Sequence, residues 1–419
     1  MKRVVVSGMI GNGLEWFDYA LYGHFATIIA AQFFPPSEDS WDALLITYGV
    51  FAAGFVMRPL GAILFGWIGD TFGRRRALAI SILMMAIPTA CLGLLPTYAQ
   101  IGFMAPILLT LIRLLQGLSL GGEFSGSVTF IVEHAPMKHR GLAGSTTKIS
   151  MCIGILLGSL AAGAVTRLLP PEDVAAWGWR IPFVLGLGVG LVGLYIRSFV
   201  PESPVYLNHK EQETVSEHTP VAELFRHSGM TLLKAVGIYQ VITIAFYIVL
   251  VFMVSYMQKQ LGYSLKDTLT LNTVALLVMM ASLPAAAAIS DRVGRKPVMV
   301  VGGIGFLLTT IPMFLLLQQQ DFAVAAAAIV IMSLFTGIYL GPCSALLVEI
   351  FPTRVRYTGM ALALNVSAAV FGGTAPWVCS KLLQTTQDPL SPAYYITATA
   401  LLALVVLRFL PDRYREPLT

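Results

Sequence analysis

The sequence predicts an all-α membrane protein with twelve transmembrane helices in two pseudo-symmetric six-helix bundles. Three observations predict it. The chain is 56% hydrophobic and 12% charged, against about 25% charged residues in soluble domains. Its apolar residues gather in stretches of about 20 residues or more, the length that crosses a bilayer. The two halves also carry the same loop motifs in the same order.

The stretches fall at residues 5–33, 42–66, 77–96, 101–131, 142–169, 181–199, 231–257, 268–289, 298–317, 322–349, 358–383 and 393–410. In lipid the backbone must satisfy its own hydrogen bonds, so each is expected to be a helix. In the first, Lys2 and Arg3 precede apolar sequence, but Glu15 and Asp18 interrupt it and no small-residue cleavage site follows. It is therefore expected to stay as the first span rather than leave as a signal peptide. Residues 200–230 form the longest polar stretch, with Glu211, Glu213, Glu217, His218 and Arg226. They split the spans six and six. The expected organisation is a bundle at 1–199, a cytoplasmic linker at 200–230 and a second bundle at 231–419.

With the N-terminus inside, nineteen of the 27 basic residues, Arg197 among them, fall in cytoplasmic segments and five on the opposite side. The positive-inside rule then places both termini in the cytoplasm of a multi-pass protein of the cell's inner (plasma) membrane. Basic residues spread between apolar stretches do not make a nucleic-acid surface. Cys91, Cys152, Cys343 and Cys379 lie in apolar stretches without zinc spacing and read as small core residues. The six histidines show no metal spacing, and no GxxxxGK[ST] loop is present. No catalytic site, metal or cofactor is expected, and the chain does not read as an enzyme.

The repeats lie in the loops. GWIGDTFGRRR (66–76) follows the second span and AISDRVGRK (288–296) the eighth. Asp70 and Asp291 each precede a glycine by three residues, with Arg74 and Arg295 following. After the fourth and tenth spans, Glu133, Pro136 and Arg140 match Glu349, Pro352 and Arg356 at identical spacing. Parallel repeats of this kind belong to transporters whose substrate site lies near the midplane between the halves.

GWIGDTFGRRR resembles the signature between helices two and three of the major facilitator superfamily. More narrowly, GNGLEWFDY (11–19), GFVMRPLGAILFG (54–66), RLLQGLSLGGEF (113–124), WGWRIPF (177–183) and PESP (201–204) resemble its metabolite–proton symporter branch. That branch includes proline/betaine, α-ketoglutarate, citrate and shikimate transporters. The likeness covers nearly the whole chain and implies the major facilitator fold. Osmosensing members carry a long C-terminal coiled coil. Here PDRYREPLT follows the last span, so regulation through such a tail is not expected.

The loop motifs have a mechanical reading. An aspartate beside a helix N-terminus meets the positive end of its dipole, and glycine permits the tight turn. The loop arginines can pair with Glu133, and Arg140 with Asp70. The resemblance implies a cytoplasmic latch of Asp70, Arg74, Glu133 and Arg140 in one half and Asp291, Arg295, Glu349 and Arg356 in the other. Its formation and release would accompany alternating access. The plainer reading makes them topology anchors.

The sharpest signal is ionisable residues inside spans: Glu15, Asp18, Arg58, Arg113, Glu123 and Lys148, all in the N-terminal half. Such residues are costly and mark a substrate path or proton relay. On the first helix Asn12, Glu15, Tyr19 and Tyr22 share one face, with Asp18 adjoining. On the fourth, Arg113 and Gln116 are neighbours, and Glu123 lies two turns further on. Three acids and three bases could also pair entirely with one another, and Arg58 is read as structural. A carboxylate taken out of water holds its proton to higher pH. An arginine stays charged and grips a carboxylate by two parallel hydrogen bonds. An acid beside an arginine can thus couple proton loading to anion binding. In the second half Gln240, Thr243 and Tyr247 share a helix face, and Asn365 precedes FGGTAP (371–376). These either line a cavity wall or bond between helices.

The expected function is proton-coupled uptake of a small organic carboxylate or zwitterion (a di- or tricarboxylate, proline or betaine) by a monomer in the lipid bilayer. One alternative is a proton-coupled efflux antiporter. Drug antiporters of the superfamily carry a GxxxGPxxGG-like motif on helix five, where this chain reads GILLGSLAAG (154–163), without the proline. The other is a transporter-like nutrient sensor, a class that usually adds large cytoplasmic domains.

Overall fold

The computed structural model describes residues 2–34, 40–212 and 220–418. Among them no strand occurs, and the long helices run in chain order. They are α1 (Lys2–His24), α2 (Ser40–Thr71), α3 (Arg74–Leu94), α4 (Met104–His134), α5 (Arg140–Leu168) and α6 (Arg180–Ser198). There follow α7 (Gly229–Tyr247), α8 (Leu265–Val293), α9 (Arg295–Leu317), α10 (Phe322–Ile350), α11 (Arg356–Ser367) and α12 (Ser391–Arg408). Ten segments, α3 to α12 with their short extensions, are long and apolar enough to cross a membrane. The twelve are completed by α1, which carries Lys2, Arg3, Glu15 and Asp18, and by α2.

The termini of these helices follow from local chemistry. Gly73 (φ 111°) and Gly294 (φ 105°) open α3 and α9 in a backbone region that a side chain would strain. Asp321 caps α10 by accepting from Val324 N at 2.9 Å, and Ser264 caps α8 by accepting from Asp267 N at 3.0 Å. Among the described residues a π turn precedes α6 at Val174–Gly178, and two helices widen into one, at Ile248–Phe252 after α7 and at Ala368–Gly372 after α11. The last lies at the start of FGGTAP. There the bending expected from its glycines takes the form of a five-residue hydrogen bond, Gly373 N to Ala368 O at 2.8 Å. The helix resumes at Ala375–Thr386. Apolar side chains such as Val56, Leu60, Leu160, Leu185, Leu308 and Leu401 point outward and are more than half exposed. That pattern is the reverse of a soluble domain's and suits a protein solvated by lipid tails.

The chain forms two compact units, Met1–His134 with Ile149–Val221, and Ala135–Lys148 with Ala222–Thr419. Within the first, α2 and α4 pack backbone to backbone. A Cβ on Gly117 would overlap the Gly54 backbone, and one on Gly121 would meet the Arg58 carbonyl and the Ala62 amide. GLSLG (117–121) is a small-xxx-small packing motif. The second unit repeats it in GIYLG (337–341), where Gly337 and Gly341 admit Ser282 and Leu283 of α8. In α6, Gly186 and Gly190 seat against Leu14 and Ala86, while Gly188 faces open space. Cys152, Cys343 and Cys379 are buried as expected of core residues, but Cys91 is exposed because it lies on the outer face of α3.

Of the polar stretch at 200–230, the start packs on the first unit, where Tyr206 Oη donates to Thr71 O at 2.8 Å. The end packs on the second, where Leu224 is buried and Arg354 pairs with Glu223 at 2.7 Å. Glu213, Glu217 and His218 lie outside the described residues.

Candidate functional site

The buried charges of the first unit resolve into three clusters. In the first, α1 brings Asp18 to Arg113 and Gln116 of α4 and Thr89 of α3, all buried. Arg113 Nη1 donates to Asp18 Oδ2 at 2.6 Å and to Gln116 Oε1 at 2.8 Å. Asp18 Oδ1 accepts from Gln116 Nε2 and from Thr89 Oγ1, each at 3.1 Å. Gln116 Nε2 also donates to Thr89 Oγ1 at 2.8 Å. The guanidinium lies 3.8 Å from the centre of the Tyr22 ring, where its charge meets the negative ring face. One carboxylate thus receives three donors, one cationic and two neutral.

A turn earlier on α1, Glu15 accepts from Arg58 Nη2 at 3.2 Å, and Tyr19 Oη accepts from the same nitrogen at 2.5 Å. The Arg58 guanidinium lies 4.4 Å from the Phe55 ring centre and 5.5 Å from that of Tyr19. Tyr19 and Phe55 are stacked at 5.9 Å. Arg58, expected to be structural, is placed between two aromatic rings and an acid.

The third cluster corrects a reading. Arg197, counted from sequence among the cytoplasmic loop cations, is buried inside α6. It forms a two-toothed pair with Glu123 of α4. Its Nε donates to Ser7 O at 3.1 Å, and its Nη1 to Leu78 O. Ser81 and Ser127 donate to the same carboxylate. Each Glu123 oxygen accepts from both arginine and serine, and the group ties α1, α3, α4 and α6 together. Gly11 leaves the room, since a Cβ there would collide with both charged side chains. The physical reason for the correction is the partner: a cation near a span end can turn inward when a carboxylate waits there.

Lys148 belongs to the second unit, where its Nζ donates to Tyr239 Oη at 2.7 Å. Gln240 Nε2 donates to Thr399 O of α12 at 2.9 Å, and Thr243 Oγ1 to Gln240 O at 2.9 Å. Asn365 Nδ2 donates to Ala361 O at 2.8 Å. The Tyr247 ring packs over Gly372, where a Cβ would lie 2.8 Å from it. Gln240 and Thr243 thus bond between helices, Thr243 Oγ1 also reaching Ser367 O of α11 at 3.4 Å, while the Asn365 amide donates back onto its own helix.

The loop motifs assemble in both units. Arg74 Nη1 donates to Asp70 at 2.6 Å, and the guanidinium reaches Glu133 at 3.4 Å. Arg295 Nη1 donates to Asp291 at 2.6 Å, and Nη2 to Glu349 at 2.9 Å. Asp291 also accepts from Gly141 N at 2.8 Å and Leu142 N at 2.9 Å, the first amides of α5, where the helix dipole is positive. Arg356 donates to the carbonyls of Val348 and Phe351 at the end of α10. Arg140, expected at Asp70, instead donates to Glu416 O at 2.8 Å. The acids nearest it are Glu349 and Asp291 of its own unit.

Sequence reasoning missed the acids that complete these motifs. Glu202 accepts from Arg75 N at 3.1 Å, and Asp412 from Lys296 N at 3.0 Å. Each caps the helix that follows the signature loop. Their signal was available as a third repeat, FVPE (199–202) against FLPD (409–412).

Twelve apolar helices, paired loop motifs and ion pairs buried inside spans define a secondary transporter. The model of the Major Facilitator Superfamily matches residues 8–376 and, a second time, 236–419, and the chain belongs to that family. It is a multi-pass membrane transporter, not an enzyme. The glycine betaine/proline/ectoine/pipecolic acid transporter OusA of Dickeya dadantii is 32% identical over 426 residues, covering 100% of this chain and 85% of the relative. The proline/betaine transporter of Salmonella typhimurium is 32% identical over 427 residues with the same coverage. Among solved structures, the proton:xylose symporter XylE bound to 6-bromo-6-deoxy-D-glucose has the same fold. The TM-score is 0.80 over 99% of this chain and 97% of that one, at 18% identity.

Proposed function

We propose that this protein takes up a small zwitterion or organic carboxylate of the proline/betaine kind together with a proton. The carrying observation is the Asp18–Arg113 pair, with Gln116 and Thr89 bonded to the same carboxylate. Protonating Asp18 removes its charge and frees the guanidinium, which then takes the substrate's carboxylate by two parallel hydrogen bonds. Releasing the substrate lets Arg113 return to Asp18 and expel the proton. Neither a lone arginine nor a lone carboxylate is stable when buried inside a span, so proton and substrate move together. The relatives' names support the substrate class, and the absence of a P-loop motif supports coupling to a gradient rather than to ATP.

Around this core, the bundles at 1–199 and 231–419 rock about the site, joined by the linker at 200–230. Both termini face the cytoplasm, the protein sits in the inner membrane, and it works as a monomer. Asp70, Arg74 and Glu133, with Asp291, Arg295 and Glu349, form the latch. Arg140 and Arg356 brace its helix ends. Glu15, Tyr19, Lys148, Gln240, Tyr247 and Asn365 supply further polar contacts along the path. Glu123 holds helices together rather than carrying a proton.

Thermal unfolding of the purified protein with proline, glycine betaine, succinate or citrate tests the binding core, because a ligand stabilises the state it occupies. One of these compounds raises Tm in the wild type and not in Arg113→Gln. An equal rise in both proteins removes Arg113 from the site.

A further inference from the structure

We infer that the groove between the start of α1 and the end of α6 is a binding site for one anionic phospholipid. The groove has a volume of about 510 Å³ and is lined by Lys2, Arg3, Val6, Tyr195, Ile196 and Phe199, all in the first unit. Its chemistry is graded along its length. Lys2 and Arg3 lie in the first turn of α1, and both are exposed. Among the described residues neither makes a hydrogen bond or an ion pair. One turn further along α1 comes Val6, 44% exposed, and at the end of α6 Phe199 and, one turn further from the basic end, Tyr195 are 61% and 66% exposed. Those two rings meet edge to face at 4.8 Å and form one wall. A phosphate fits between the two cations, and an acyl chain fits against the wall below.

The groove is also preformed. The residues beside its lining, Ser7 and Arg197, turn the opposite way, and Arg197 Nε donates to Ser7 O at 3.1 Å. The buried Arg197–Glu123 pair thus fixes the spacing of α1 and α6 behind the groove. A rigid slot that is basic at one end and apolar along its body matches a lipid with a phosphate head, not a soluble anion. Two cations beside an anionic headgroup favour an anionic over a zwitterionic lipid by roughly tenfold or more.

The test is native mass spectrometry of the full chain after reconstitution in nanodiscs of equal phosphatidylglycerol and phosphatidylcholine, followed by stepwise delipidation. The wild type is expected to keep one phosphatidylglycerol after the other lipids leave, and inorganic phosphate does not displace it. Lys2→Gln/Arg3→Gln should lose the preference for phosphatidylglycerol. Val6→Trp, which fills the groove and leaves both charges, should lose the retained lipid altogether. Displacement by inorganic phosphate, an unchanged preference in the double variant, or an unchanged lipid count in Val6→Trp would each overturn the assignment. The readout is independent of transport, so it stands or falls apart from the function proposed above.

Discussion

At the scale of single residues, the account turns on what each buried pair is for. Asp18 and Glu123 are both carboxylates facing an arginine, yet their surroundings differ. Each oxygen of Glu123 accepts from both Arg197 and a serine. Asp18 shares its arginine with Gln116, at 2.8 Å from the same nitrogen, and keeps two neutral donors of its own. The first arrangement is a staple, and the second can let its cation go. Arg113→Lys should therefore weaken substrate binding nearly as much as Arg113→Ala, because lysine keeps the charge but loses the planar fork. Ligand-induced thermal shifts read this directly, and a tolerated Arg113→Lys would make the pair structural. For the staple, removing one member leaves a buried charge alone, so Glu123→Ala should cost about 3–5 kcal/mol of stability. Glu123→Gln/Arg197→Gln should recover a large part of that in detergent unfolding. If Glu123→Ala instead unfolds like wild type and only alters proton dependence, Glu123 is a proton site. The sequence announced Asp18 and Arg113 because charge inside an apolar run stands out, and Gln116 as the helix neighbour of Arg113. It hid Thr89, which is neutral, and Arg197, whose place near a span end looks like a topology signal.

At the scale of elements, glycines and capping acids set helix position. The contact of α2 with α4 leaves no room for a Cβ at Gly117, whereas Gly188 on α6 faces open space. Gly117→Ala should lower Tm by several degrees and Gly188→Ala should leave it unchanged. Equal effects would mean that helix propensity, not close approach, governs both sites. The helices and their number were legible in the apolar stretches, since lipid leaves the backbone little choice. The π turns after α7 and α11 were not, because a single five-residue bond has no periodic signature. The capping roles of Glu202 and Asp412 escaped for a different reason: a lone acid after a span reads as a solvated loop until its partner helix is seen. At the latch, Asp70→Asn keeps the shape of the side chain but loses the charge paired with Arg74 at 2.6 Å. It should slow exchange between access states, followed by counterflow, with substrate affinity unchanged. A fall in affinity with unchanged exchange would place Asp70 at the substrate instead.

At the scale of the whole molecule, the repeats in loops, small-residue motifs and capping acids make each half a version of the other, while the pairs Glu15–Arg58, Asp18–Arg113 and Glu123–Arg197 belong to the first unit. The central claim is that proton and substrate cross together. The most direct measurement is uptake of labelled proline or glycine betaine by the purified protein in proteoliposomes with an imposed pH gradient, alkaline inside. The account predicts accumulation above the external level that collapses on adding a protonophore, and Asp18→Asn that exchanges substrate across the membrane but no longer accumulates it. Accumulation that persists after the protonophore, or Asp18→Asn that still accumulates substrate on the pH gradient, would contradict it.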